Sequence, residues 1–154
     1  MIFGNVSFGI FAFMPQGWIF MVFIILIESV IISRQLTKNW GDLAIYGRVT
    51  ISNVVSGVVG ILASLKLNGG WWLVVWFPWV SDNEVRLDNK NDIYGLLILY
   101  GLAFLLTLLI ELPLNRFLFK KYPTRLTIKS SLIANLVSYA IGTVVLYSYS
   151  FGLI

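Results

Sequence analysis

Two segments of the chain, 82 positions apart, repeat one another within long apolar stretches. Residues 53–60 read Asn-Val-Val-Ser-Gly-Val-Val-Gly, and residues 135–142 read Asn-Leu-Val-Ser-Tyr-Ala-Ile-Gly. The Asn, the second Val, the Ser and the last Gly coincide between the two segments. A polar pattern that recurs inside apolar runs restricts the chain to folds that place two equivalent units side by side.

The residues around these segments extend the repeat. Arg34 and Arg116 are related by the same offset, and Glu28 and Glu111 fall within one residue of it. Each half is therefore an apolar run ending in Glu and then Arg, a basic loop, and a second apolar run that carries Asn and Ser. The pattern predicts a helical hairpin that has been duplicated.

The composition favours a membrane setting for these hairpins. Hydrophobic residues make up 58% of the 154 residues and charged residues 12%, with a mean hydropathy of +0.87, and a soluble domain of this size has too little interior to hide so much apolar surface. We predict an all-α membrane protein whose four transmembrane helices form two repeated helical hairpins, with short interfacial segments besides. The chain 1–154 is then a single integral membrane bundle, in which repeat 1 spans about 17–66, repeat 2 spans about 93–149, and an outer aromatic and polar loop covers 67–92. The apolar runs long enough to cross, at roughly 17–25 residues each, lie at 17–33, 49–65, 93–112 and 128–147.

The basic residues are concentrated in the two loops that would lie on one side of the membrane. The loop 34–48 holds three Lys or Arg and one acid, and the loop 116–129 holds five with no acid. The positive-inside rule places both loops in the cytoplasm and both termini outside, which predicts a multi-pass integral membrane protein. The lipid bilayer is then a partner, and the net charge of +4 reflects topology rather than nucleic-acid binding. The five cations of the second loop either set topology alone or also attract anionic lipid headgroups.

The residue types that common catalytic chemistry needs are missing. The chain has no Cys and no His, which excludes a thiol mechanism and removes the commonest general base and metal ligand. Residues 88–92 alternate Asp and Asn, but they lack the Gly and the distal Glu of an EF-hand loop and contain a central Lys. We therefore predict a protein that is not an enzyme, with no catalytic residue, no metal site and no cofactor.

A polar layer is predicted inside the bundle, near the basic loops. Both glutamates and both repeat asparagines lie five or six residues from a basic flank, which is about 7–9 Å along a helix axis. Charged groups at that depth face the interior or a partner. The layer either holds the helices together as polar contacts or forms part of a proton or ion path. Its predicted members are Glu28, Arg34, Asn53, Glu111, Arg116 and Asn135.

Small residues recur every four positions in the second and fourth apolar runs. Such stripes let helix backbones approach closely, so we expect the second and fourth helices to pack on each other around a pseudo-two-fold axis. Pro113, which removes a backbone donor, is expected to kink or end the third helix. The predicted packing residues are Ser52, Ser56, Gly60, Ala134, Ser138 and Gly142.

Two aromatic segments lie outside the four apolar runs. One is the N-terminal stretch 2–13, and the other carries four tryptophans in nine residues. Tryptophan is common at the headgroup level of membranes and is also enriched in protein interfaces. The segments are therefore either interfacial anchors or contacts with a partner chain, a bound lipid or a bound pigment. The tryptophans in question are Trp71, Trp72, Trp76 and Trp79.

The polar motifs of the repeat resemble those of small bacterial multi-span membrane proteins typified by the cyanobacterial filament integrity protein FraC. The resemblance covers most of the chain and implies a location in the bacterial cytoplasmic membrane. It also implies an accessory role, in which the protein helps to assemble a junction complex and carries no catalytic residue. Its motifs here are Glu28 with Arg34, Asn53-Val-Val-Ser56, Ile110-Glu111-Leu-Pro113 and Ala134-Asn135-Leu-Val-Ser138-Tyr139.

Three functions remain open at this point. The leading hypothesis is a non-enzymatic integral membrane subunit or scaffold that assembles with other membrane protein subunits into a larger complex. The alternative is a small oligomeric transporter or channel that uses the layer of Glu28, Glu111, Asn53 and Asn135. A membrane enzyme acting on lipid is the weakest, because no catalytic constellation is present.

Overall fold

Four α-helices account for most of the residues that the structure, a computed structural model, describes, namely 15–68 and 90–150. They are α1 (Pro15–Thr37), α2 (Leu43–Asn68), α3 (Lys90–Leu118) and α4 (Thr124–Ser150). These residues contain no strand, so the predicted all-α class with four helices is confirmed for them. Across the same residues, no helix combines the length and the apolarity that crossing a membrane requires.

Some predicted features lie outside the described residues. The four tryptophans from Trp71 to Trp79, the N-terminal stretch 2–13 and most of the loop 67–92 belong to this group. Their predicted contacts with a membrane or a partner therefore stay predictions.

A tight turn joins α1 to α2. Lys38 adopts a left-handed backbone conformation, with φ of 63°, and its amide donates to the Arg34 carbonyl at 3.2 Å. Ser33 bridges the turn, because its hydroxyl donates to the Asn39 carbonyl at 2.7 Å and accepts from the Asp42 amide at 3.2 Å. The turn therefore ends α1 and fixes the chain direction before α2 begins.

Asp42 caps the N-terminus of α2. Its Oδ1 accepts hydrogen bonds from the amides of Ala44 at 3.0 Å and Ile45 at 3.3 Å. These amides belong to the first helical turn, where the i−4 carbonyl of a regular helix is missing. The Ile45 amide donates to the Asp42 backbone carbonyl as well, at 2.9 Å. The carboxylate also complements the positive end of the helix dipole.

The helices are arranged as a ring of neighbours. α1 packs most extensively on α4, and the pairs α1–α2, α3–α4 and α2–α3 complete the ring. In the described residues, α2 and α4 form no extensive contact and lie diagonally opposite. The expectation that the second and fourth helices pack on each other is therefore wrong. Ser56 on α2 and Ser138 on α4 are buried in the bundle, and they contact α3 and α1 instead of each other.

The interior is mostly polar. Among the described residues, fourteen buried side chains are polar or charged and six are apolar. The six apolar side chains form one cluster at the end of the bundle that carries the two turns: Ile32, Leu36, Ile45, Val49, Phe119 and Ala134. Some buried polar side chains, such as Ser33 and Thr127, lie at the level of that cluster, and the others continue the interior toward the other end of the helices.

Pro113 does not end α3. The helix continues from Pro113 to Leu118, and the proline ring is exposed. A proline removes one backbone hydrogen bond of the helix, and the helical bonds on either side of it carry α3 onward. Of the two expected effects of Pro113, an end of α3 at this residue is therefore wrong, and a kink in α3 stays a prediction.

Candidate functional site

Two buried glutamates occupy the centre of the polar interior. Glu28 lies on α1 and is 2% exposed, and Glu111 lies on α3 and is 1% exposed. All their side-chain hydrogen-bond partners in the described residues come from α2 and α4. Because α1 and α3 lie on opposite corners of the ring, each glutamate has α2 on one side and α4 on the other.

Glu28 accepts one hydrogen bond at each carboxylate oxygen. The Asn53 side-chain amide donates to Oε2 at 2.8 Å, and the Ser138 hydroxyl donates to Oε1 at 2.7 Å. Asn53 comes from the same hairpin as Glu28, whereas Ser138 comes from the other hairpin. The carboxylate therefore connects α1 to both of its neighbours.

Glu111 repeats this arrangement. The Asn135 side-chain amide, from its own hairpin, donates to Oε2 at 3.0 Å, and the Ser56 hydroxyl, from the other hairpin, donates to Oε1 at 2.7 Å. One hydrogen bond to a carboxylate thus spans each of the four neighbouring helix pairs. The connectivity is two-fold: exchanging the hairpins exchanges Glu28 with Glu111 and leaves the pattern unchanged.

Local hydrogen bonds fix the donors in place. The amide of Asn53 also donates to the Val49 carbonyl at 3.2 Å, and the amide of Asn135 also donates to the Ser131 carbonyl at 3.1 Å. An asparagine amide has two protons, so one goes to the helix backbone and the other to the carboxylate. The side chains are therefore oriented before they meet the glutamates.

The serines have a second polar contact as well. Ser56 and Ser138 each lie 3.1–3.2 Å from the carbonyl oxygen of the asparagine three residues earlier. A hydroxyl carries one proton, and the shorter contact, at 2.7 Å to the carboxylate in both cases, is the stronger one. Both serines therefore act mainly as links between helices.

The structure separates the two predicted arginines from this network. Arg34 is exposed, its guanidinium donates to the Lys38 carbonyl, and it lies 5.0 Å from the centroid of the Trp40 ring. Arg116 is exposed as well and lines a surface pocket. Both arginines lie in polar or open surroundings at the loop end, so neither joins the glutamates in the described network, although both are predicted members of the polar layer.

Some of the predicted packing residues serve close helix packing, and others belong to the hydrogen-bond network. Ala134 and Gly142 are buried without a polar side chain, while Ser56 and Ser138 belong to the network. Ser52 is buried, and its hydroxyl has no hydrogen-bond partner among the described residues. Gly60 lies on α2.

Further polar links, which the sequence analysis did not predict, lie on either side of the network. Toward the turns, the Asn115 amide donates to the Ser131 hydroxyl at 3.1 Å. Toward the other end, Thr107 and Tyr139 share a hydrogen bond of 2.8 Å. Asn115 follows Glu111 by four residues, and Ser131 precedes Asn135 by four. Residues at this spacing share a helix face, so the sequence could have predicted that Asn115 and Ser131 lie beside the network.

One more link joins the two hairpins. The Ser130 hydroxyl lies 3.1 Å from the side-chain oxygen of Gln35 and 2.8 Å from the Leu126 carbonyl. It connects α4 to α1, the pair of helices with the most extensive packing. The polar contacts between hairpins are thus concentrated on the same faces as the packing.

The chemistry available at this site is limited by its residue types. Carboxylates, amides and hydroxyls hydrogen-bonded to one another hold helices together, and they can also bind or pass a proton. In the part of the chain that the structure describes, no group of three acidic, His or Cys residues is placed to hold a metal ion.

No protein-family model, no curated protein and no solved structure matches this chain.

Proposed function

We propose that the protein is a non-enzymatic integral membrane subunit whose four helices form a scaffold within a larger membrane complex. The observation that supports it is an inverted distribution of polarity: the described interior is mostly polar, while large apolar side chains are exposed along all four helices. In water, such an arrangement loses both the burial of apolar surface and a favourable exterior. In lipid, the same exterior is solvated by acyl chains, and polar contacts hold helices together.

Individual residues illustrate the exterior. Leu26 on α1 is 47% exposed, Val58 on α2 49%, Leu109 on α3 73% and Val144 on α4 65%. These side chains lie at the level of the network or beyond it toward the outer ends of the helices. An apolar belt at that level, facing away from the glutamates, is the surface that acyl chains or apolar faces of other membrane proteins would cover.

The network supports a scaffold more than a transport path. Every carboxylate oxygen of Glu28 and Glu111 accepts a hydrogen bond from a neighbouring helix. Hydrogen bonds that occupy all four carboxylate oxygens and cross each of the four neighbouring helix pairs restrict the relative motion of the helices. The geometry therefore favours a rigid unit that presents its outer faces to partners.

Membrane integration is tested by extraction. We expect the full chain, expressed in a bacterium, to remain in the membrane pellet after alkaline carbonate washing and to be released only by detergent. Recovery of the protein in the carbonate supernatant would contradict the proposal. A peripheral protein expressed in the same cells serves as the control for the wash.

The topology within the membrane is tested by cysteine labelling. The chain has no native Cys, so single substitutions are read without background. Asp88→Cys should react with an impermeant maleimide in intact cells, and Lys121→Cys only after permeabilisation, because basic loops face the cytoplasm. The opposite labelling pattern would overturn the proposed orientation.

The scaffold role is tested by photo-crosslinking in cells. A photoreactive amino acid at Val58, which is exposed, should form an adduct with a different membrane protein, identified by mass spectrometry. The same photoreactive amino acid at Val55, which is also on α2 and 38% exposed, tests whether the partner contacts a second position on this helix. Adducts with lipid alone at both positions, together with purification of the unaccompanied chain under mild detergent, would contradict a scaffold.

A transporter or channel is the second candidate, and one observation favours it. Next to the network, the Ser29 and Ser52 hydroxyls and Asn135 Oδ1 are buried without a hydrogen-bond partner among the described residues. Such groups can hydrogen-bond to water that enters the bundle, and a file of water molecules leading to the glutamates can carry protons. Proton flux into liposomes containing the wild-type protein, absent in Glu28→Gln/Glu111→Gln, would favour transport, whereas equal flux with both proteins and with empty liposomes supports the scaffold.

A further inference from the structure

A pocket of about 410 Å³ lies beside the turn between α3 and α4. Its walls come from the end of α3, the turn and the first helical turn of α4. The volume falls in the range of roughly 300–1,000 Å³ that small-molecule sites occupy. Pro113 and Phe117 supply apolar wall, and the remaining lining side chains carry polar groups.

Two cations line the pocket, and no acid balances them nearby in the sequence. Arg116 and Lys120 both belong to the lining and are exposed. Lys120 Nζ lies 4.0 Å from the centroid of the Phe117 ring, which keeps the ammonium group on the same side of the turn. From residue 112 onward the chain contains no Asp or Glu, so the pocket is electropositive.

The N-terminus of α4 adds to this positive potential. The helix begins at Thr124, directly after Pro123, and has no acidic residue in its first turn. Free amides at a helix N-terminus attract anions. In the other hairpin the Asp42 carboxylate fills the corresponding role at α2, whereas the segment 119–124 offers no carboxylate.

Thr127 supplies an unused hydrogen-bonding group at the same place. Its side chain lines the pocket and is 1% exposed. Its hydroxyl has no hydrogen-bond partner among the described residues, although a buried hydroxyl without a partner is unfavourable. A ligand that accepts a hydrogen bond from Thr127 removes that deficit.

We propose that this pocket binds a phosphate group through Arg116, Lys120, the N-terminus of α4 and Thr127. A phosphate combines negative charge with several acceptor oxygens, which fits a guanidinium, an ammonium, helix amides and a hydroxyl together. The group is carried either by an anionic phospholipid headgroup or by a soluble phosphate ester. The phosphate site itself does not depend on the proposed scaffold role.

Binding measurements on the full-length protein in a zwitterionic detergent test this site. The probes are phosphatidylglycerol, sn-glycerol 3-phosphate and, as a headgroup control, phosphatidylcholine. Apparent dissociation constants come from native mass spectrometry for the lipids and from calorimetry for the soluble ester. Tighter binding of phosphatidylglycerol than of the soluble ester identifies a lipid source, and the reverse identifies a soluble source; both support the site.

Two double variants with the same change in net charge separate the pocket from the basic surface around it. Arg116→Gln/Lys120→Gln should weaken binding about tenfold or more, because hydrogen bonds to charged groups are lost. Arg125→Gln/Lys129→Gln, outside the pocket lining, should weaken it less than about threefold, as expected for screened surface charges. Equal losses in the two variants would overturn the proposal, since they indicate a diffuse basic surface.

Thr127→Val is the third variant, because valine keeps the shape of threonine without its hydroxyl. It should weaken phosphate binding severalfold while leaving the unfolding temperature of the ligand-free protein unchanged or higher. Unchanged binding in Thr127→Val, or no binding of either anionic probe by the wild-type protein, would also overturn the site.

Discussion

Ser138 on α4 donates a hydrogen bond of 2.7 Å to Glu28 on α1, across a separation of 110 residues in the chain. Its counterpart, Ser56 on α2, makes a bond of the same length to Glu111 on α3. These two contacts cross between the hairpins, whereas the two asparagine contacts stay within them. The duplicated pattern of Asn and Ser therefore builds a unit in which each hairpin completes the polar interior of the other.

Replacing Glu28 distinguishes the loss of its charge from the loss of its hydrogen bonds. Glu28→Gln should lower the free energy of unfolding by no more than about 1 kcal/mol, because the glutamine oxygen still accepts from Asn53 and its amide can donate to Ser138. Glu28→Leu should lower it by about 2–5 kcal/mol, because two buried donors then lose their acceptor. Thermal unfolding in detergent, followed by circular dichroism, measures both.

The same pair of substitutions at Glu111 is the internal control. The two-fold connectivity predicts matching effects, with Glu111→Leu far more destabilising than Glu111→Gln. Equal destabilisation by Gln and Leu at either position would show that the carboxylate charge, not its hydrogen bonding, stabilises the bundle.

The hydroxyls that cross between hairpins should matter more than a hydroxyl bonded within its own helix. Ser138→Ala and Ser56→Ala should each cost about 1–2 kcal/mol, because each leaves a buried carboxylate oxygen without its donor. Thr143→Val on α4 is the matched control: Thr143 is exposed and its hydroxyl donates only to the Tyr139 carbonyl at 2.8 Å. Its removal should cost less than about 0.5 kcal/mol.

Denaturant unfolding of the three variants under one set of conditions gives the comparison. A cost for Thr143→Val equal to that of the serine variants would mean that local helix propensity, rather than the link between hairpins, accounts for the effect.

The sequence predicted the depth of the polar residues better than their partners. The sequence places Glu28 and Asn53 in one layer because they lie at similar distances from a basic flank, and the rise per residue of a helix converts such distances into depth. Depth does not specify which neighbouring helix a side chain faces. Ser56 and Ser138 were therefore assigned to backbone packing, although their hydroxyls bind the glutamates of the opposite hairpin.

The arrangement of helices could not be predicted for a related reason. A stripe of small residues indicates close approach without identifying the helix that approaches, so α2 and α4 were paired incorrectly. The position of Arg34 depends on the left-handed conformation of Lys38, a conformation that lysine seldom adopts. The spacing of apolar residues predicts neither the helix that approaches a small-residue stripe nor the position of the Arg34 side chain.

The Asp42 cap should contribute measurably to the stability of the first hairpin. Asp42→Ala should lower the free energy of unfolding by about 1 kcal/mol, because the amide of Ala44 loses its acceptor. The amide of Ile45 loses the side-chain acceptor but keeps its 2.9 Å hydrogen bond to the backbone carbonyl of residue 42. Asp42→Asn should cost much less, since asparagine caps helices about as well. Destabilisation by Asn equal to that by Ala, measured by thermal unfolding, would assign the effect to the negative charge of Asp42 among the basic residues of this loop.

Lys38 is a position where glycine should stabilise the protein. Its φ of 63° places a side chain in the left-handed region, which costs a residue with a Cβ roughly 1–2 kcal/mol relative to glycine. Lys38→Gly removes that strain and the charge together, so Lys38→Ala, which removes the charge and keeps the Cβ, is the matched control. We expect the glycine variant to be more stable than the alanine variant by about 1 kcal/mol. The greater freedom of glycine in the unfolded chain offsets part of the relieved strain.

Denaturant titrations of the two variants measure the difference in their free energies of unfolding. An alanine variant at least as stable as the glycine variant would show that the turn holds residue 38 outside the left-handed region in solution.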